Sequence, residues 1–121
     1  MSTSTENVVA ELLDSIGMDP KHPFGDDVAR IEVHQNQVVG VHLVPGLEVE
    51  ADEQVDGIAA RIRVREGAQI AKPVHVCFGV LPEEGVQHID LQIDVEPESR
   101  ASILAHCTFP NAKNIEHLMD A

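Results

Sequence analysis

From Val28 onward the chain alternates apolar and polar residues with a period of two, in one run after another. Ala29, Ile31 and Val33 alternate with Arg30, Glu32 and His34; after a polar Gln35-Asn36 turn, Val39, Val41 and Leu43 continue the pattern. Two alternating runs around two polar residues predict a hairpin. Pro45-Gly46 ends it, and the acidic stretch Glu48 to Asp56 reads as a connection. Ile62 and Val64 then alternate with Arg61, Arg63 and Arg65. Later runs are clearer: Val74, Val76, Phe78 and Val80 oppose His75, Cys77 and Gly79, and Ile89, Leu91, Ile93 and Val95 oppose His88, Asp90, Gln92 and Asp94. Ala101, Ile103, Ala105, Cys107 and Phe109 oppose Ser102, Leu104, His106 and Thr108, with turns expected at Leu81 to Gly85 and Glu96 to Arg100. A final strand carries Glu116 and His117.

The beginning follows another period. Val8, Val9, Leu12, Leu13 and Ile16 line one face of a helix predicted over Thr5 to Ile16. Ser4 or Thr5 is suited to cap its start and Gly17 its end; the helix is expected to cover an open end of the core. Asp19 to Asp27, with Pro20, Pro23 and Gly25, reads as a loop. The expectation is one mainly β domain over residues 28–121, preceded by a helix and loop over 1–27.

An internal repeat refines this fold class. Ile62-Arg-Val-Arg-Glu-Gly-Ala-Gln-Ile70 is similar to Ile93-Asp-Val-Glu-Pro-Glu-Ser-Arg-Ala-Ser-Ile103, with Val64 and Val95 offset by 31 residues. Strand, acidic turn, small residue, strand is the order that a stacked β coil produces; a β-sandwich-like stack is the alternative.

Composition narrows the function. The 121 residues hold 21 acidic and 8 basic side chains, a net charge of -13. Nucleic acid and anionic membranes both require a basic footprint, so neither is an expected partner. Arg61, Arg63 and Arg65 share one strand face and read as a solvated stripe. With no Trp or Tyr and three Phe, the core must be aliphatic. No stretch approaches the roughly 20 apolar residues of a membrane span, and the polar start is unlike a signal peptide. A cytoplasmic location with two free thiols follows as the expectation.

No phosphate-binding glycine loop, Ser-His-Asp order or Cys-x-x-Cys pair is present, so no enzyme activity is predicted. The candidate chemistry is a set of soft ligands suited to zinc or iron: His75 and Cys77 on one strand face, and His106 and Cys107 side by side on opposite faces. Alternation turns Cys107 toward the apolar side as a small buried hydrophobe, and His106 away from it. His34, His42 and His88 read as ordinary strand residues, and His117 as structural.

Ala71-Lys-Pro-Val-His-Val-Cys-Phe-Gly-Val-Leu-Pro-Glu-Glu-Gly85, the alternating strand after it, and Ala105-His-Cys-Thr-Phe-Pro-Asn-Ala112 to His117-Leu-Met-Asp-Ala121 resemble the early core of SufB/SufD-type proteins. The resemblance runs over Val55 to Ala121. It implies early coils of a right-handed β-helix, a scaffold role in iron–sulfur cluster assembly, a transient cluster or iron as cofactor, and an ABC-type ATPase of the Suf type as partner. His75, Cys77, His106 and Cys107 match the motif of the compact members. The cysteine, glutamate and histidine of better-known members lie in later coils and carry over to no position here. Family members are considerably longer, so the resemblance implies a truncated scaffold that forms a homo-oligomer through the β edge at Ile115 to Ala121. The rival readings are a β-sandwich or cupin-like domain holding one metal through His75, Cys77, His106 and His88, and a purely structural interaction module.

Overall fold

The structure, a computed structural model, describes residues 3–18 and 25–121. One helix, α1 (Thr3–Ser15), precedes eight strands: β1 (Arg30–His34), β2 (Gln37–His42), β3 (Leu47–Glu53), β4 (Gly57–Val64), β5 (Val74–Gly79), β6 (Glu84–Val95), β7 (Ile103–Thr108) and β8 (Asn114–Asp120). The expected loop at 19–27 falls largely outside the described residues, as do the side chains proposed to cap the helix start.

The strands form two mixed sheets, ordered β2-β1-β5-β7 and β3-β4-β6-β8. Each starts from an antiparallel hairpin, and the chain then alternates between the sheets, adding parallel strands outward from β1 and β4. Each return lands in nearly the same register: Val74 beside Ile103, Gly57 beside His88, Glu84 beside Asn114. The repeat read from the sequence is real at this level, because Ile62 pairs with Ile93 and Val64 with Val95.

The corner before each return is built alike. Leu47 N–H bonds to Val44 O, Ala68 N–H to Arg65 O and Ser99 N–H to Glu96 O, with Gly46, Gly67 and Glu98 at positive φ in the third turn position. That is the chemistry of a type II turn, which Pro45 and Pro97 favour at the second position. The turns stack: Arg65 N–H bonds to Gly46 O, and Gly67 N–H to Pro97 O.

Between the sheets lies one aliphatic core. Ile31, Val33, Val74, Val76 and Phe78 of the first sheet meet Leu47, Ile58, Ile62, Val64, Ile89 and Leu91 of the second, all at most 5% exposed. The reading of Glu48 to Asp56 as a connection is corrected: Leu47–Glu53 is strand β3. Leu47, Val49 and Ala51 pair with Val64, Ile62 and Ala60, while Glu48 and Glu50 stand beside Arg63 and Arg61. The arginine stripe is therefore paired. Arg61 meets Asp94, and Arg63 and Arg65 each meet Glu48 and Glu96.

A second correction concerns α1, which packs on β1 and β2 across the outer face of the first sheet and not over an open end. Leu12 is fully buried and lies over Gly79, where a side chain would meet it. Ser15 Oγ lies 2.7 Å from Thr108 Oγ1. The helix ends as the sequence predicts: Met18 N–H bonds to Leu13 O and Gly17 N–H to Asp14 O, with Gly17 at φ 88°, a Schellman arrangement.

The helix is why polar residues on that face are buried. Glu32 is 1% exposed and paired with Arg30. The register of β1 with β2 shifts between Glu32 and Val33, so that Val33 pairs with Val38 and Glu32 with Gly40. A Cβ at position 40 would lie 2.5 Å from the Glu32 carboxylate. The bulge thus sets a glycine where the buried carboxyl needs room, and it breaks the simple alternation expected through Val39.

Desolvation raises the Glu32 pKa above the ordinary carboxylate value, and the Arg30 charge and hydrogen bond only partly oppose it. The folded protein holds that proton more firmly than the unfolded chain, so this group's contribution to stability is present at acid pH and is lost as pH rises through the folded-state pKa. Glu32→Gln is expected to flatten that loss. Urea unfolding from acid to neutral pH checks this; wild type and variant declining in parallel would count against it.

Candidate functional site

The sheets sort the predicted ligands into two places. His75, Cys77 and His106 all lie on the outer face of the first sheet, where Cys77 pairs in register with Glu32 and His106. His75 and His106 stack with ring centroids 5.6 Å apart and planes 7° from parallel, and His75 Nδ1 is 3.4 Å from His106 Nε2. Burial, and secondarily the charge of His106, lowers the His75 pKa.

Cys77 is buried, and burial pushes its thiol up to about 12, with smaller contributions from Glu32 and Cys107. Such a thiol stays protonated and unreactive at neutral pH. Among the described residues, no group of three or more His, Cys, Asp or Glu side chains is arranged to hold a metal ion.

Cys107 points the other way. It pairs with Phe78 in register and faces the space between the sheets, as the alternation predicts, yet it is exposed and not buried. β7 and β8 are the outermost strands of their sheets, so the side chains at this rung are covered from one side. Across the gap lies His117 of β8, with Nε2 3.5 Å from Cys107 Sγ. The strand pattern alone gives His117 only a structural role. Its partner is ten residues away and in the other sheet, and no spacing rule links them.

Gln87 completes the group and is fully buried. Its Nε2 donates to Gln35 O at 3.0 Å and Gly79 O at 3.2 Å, which leaves Oε1 to accept from His117 Nδ1 at 2.9 Å. In the neutral ring, Nε2 then carries a lone pair aimed at Cys107. Phe109 flanks the ring, with centroids 5.0 Å apart. Partial desolvation raises the Cys107 pKa and lowers that of His117, favouring an S–H···N bond over a thiolate–imidazolium pair.

The fold and these groups define a small domain of stacked parallel strands that carries soft-ligand side chains on its first sheet and at its outer rung. No described helix is long and apolar enough to cross a membrane. The chain is 36% identical over 91 residues to an iron–sulfur cluster assembly SufBD family protein of Methanocaldococcus jannaschii. It is 31% identical over 94 residues to another of that description from Pyrococcus horikoshii. These matches take in 75% and 78% of the chain, a longer stretch than the motifs at Val55 to Ala121, and they establish that the chain is a homologue of SufBD family proteins. The chain spans about 29% of the length of these relatives. No family model matches it, and no solved structure does.

Proposed function

We propose that the chain serves in iron–sulfur cluster assembly as a non-enzymatic scaffold unit of SufB/SufD type. The observation that carries this is the match to two proteins described as SufBD family iron–sulfur cluster assembly proteins. The two-sheet alternation with near-constant register supports the accompanying reading of the strands as coils of a right-handed β-helix.

In such a stack each coil buries its apolar face on the next. Met119 and Leu118 of β8 are 36% and 58% exposed, and Val95 beyond the β6–β8 pairing is 55% exposed; this apolar rim fits another β unit, including a second copy of the chain. A Suf-type ABC ATPase is the partner that supplies energy, and the setting is the cytoplasm.

The test is anaerobic reconstitution of the reduced protein with ferrous iron and sulfide. The expected result is a colourless protein as isolated that acquires the visible charge-transfer absorption of an iron–sulfur centre. Failure to take up iron and sulfide, or isolation with one tightly held zinc ion per chain that is lost in His75→Ala, would overturn the proposal.

A further inference from the structure

We propose that Cys107 and His117 form a two-ligand site for a thiophilic divalent metal ion such as zinc, at the mouth of the space between the sheets, preset by the buried Gln87. The inference stands apart from the assembly role. It rests on three features of the group.

The first is distance. A tetrahedral zinc ion has bonds of about 2.3 Å to sulfur and about 2.0–2.1 Å to nitrogen, which puts such ligands about 3.5–3.6 Å apart. Cys107 Sγ and His117 Nε2 are 3.5 Å apart, the separation of two such ligands, and a pivot of the exposed thiol off the imidazole lone-pair axis admits the ion.

The second is orientation. A metal-bound imidazole ordinarily donates its other N–H to a fixed acceptor, which sets the tautomer and the ring plane. Gln87 Oε1 is that acceptor, and its own orientation is dictated by two main-chain carbonyls. The acceptor is in place without any metal. The third is access: Cys107 is exposed, leaving the remaining coordination positions to water or an added thiol.

The outer-face set offers no accessible thiol. Cys77 is buried, and His75 Nδ1 and His106 Nε2, 3.4 Å apart, are engaged with each other. Binding at Cys107 and His117 forms one metal–sulfur and one metal–nitrogen bond, and the thiol proton leaves to solvent.

Cobalt(II) added to the reduced, anaerobic full chain is the test. The expected result is a near-ultraviolet thiolate-to-cobalt charge-transfer band, displaced by zinc, absent in Cys107→Ser and intact in His75→Ala and His106→Ala. His117→Ala and Gln87→Ala should each weaken apparent affinity by about 10–100-fold. If Gln87→Ala fails to fold, Cys107→Ser and His117→Ala decide the matter, since neither position is buried. No band with cobalt in large excess, a band surviving in Cys107→Ser, or unchanged affinity in His117→Ala would each overturn the proposal. Reconstitution with iron and sulfide is a separate measurement, so either reading can fail alone.

Discussion

Phe78→Ala is expected to lower the unfolding free energy by about 3–5 kcal/mol, the cost of removing a large aromatic side chain from a closed core. Phe78 is fully buried and heads the buried side chains by volume. Its register neighbours are Val33 and Cys107, and the facing sheet presents aliphatic side chains such as Ile58 and Ile89. Parallel strands on both sides restrict collapse into the void, which favours the upper part of the range. A domain of this size has a total stability of about 5–15 kcal/mol, so the variant should shift its urea midpoint far down or fail to fold. A loss under about 1.5 kcal/mol, the scale of volume-conserving swaps, would show that Phe78 is not packed as described.

Gly57→Ala should be nearly as damaging for a different reason. Gly57 opens β4 and pairs with His88 of β6; an added Cβ would lie 1.7 Å from the His88 carbonyl oxygen and 2.8 Å from its nitrogen. The clash is with main chain, so no rotamer relieves it. Separating the strands there also endangers the bonds from His88 N–H to Asp56 O and from Gln54 N–H to Gly57 O. A destabilisation of about 1–3 kcal/mol or more is expected, as for overpacking in a core. Gly85→Ala is the control: its Cβ would meet the Val80 side chain at 3.2 Å, a contact that side-chain motion relieves. Equal losses in the two variants would contradict the close backbone approach at Gly57.

Much of the β structure was legible because alternation records local burial. β5 and β7 read cleanly, β6 begins at Glu84, inside the turn expected over Leu81 to Gly85, and the 31-residue repeat became the pairing of Val64 with Val95. Features that depend on distant partners were not legible. β3 looked like an acidic connection since its charges make sense only beside the arginines of β4. Cys77 and Glu32 sit on the polar phase of their strands and are nonetheless buried, on a sheet face that α1 crosses at β1 and β2, which no strand pattern encodes. Cys107 was correctly turned inward but is exposed, because inward is not the same as covered at an outermost strand. His117 and Gln87 meet Cys107 through the pairing of β6 with β8, so the strongest candidate site was visible in the sequence only by its cysteine.

The two hairpins also set an order of events. β1–β2 and β3–β4 join neighbours across short turns, whereas β5, β6, β7 and β8 all pair with strands separated from them by an intervening strand or more. Closing such long loops costs chain entropy before any contact rewards it. Folding should therefore begin at the hairpins and advance outward one strand at a time, on the slow millisecond-to-second scale of non-local β proteins. Cys107 and His117, on β7 and β8, would then come together last and separate first.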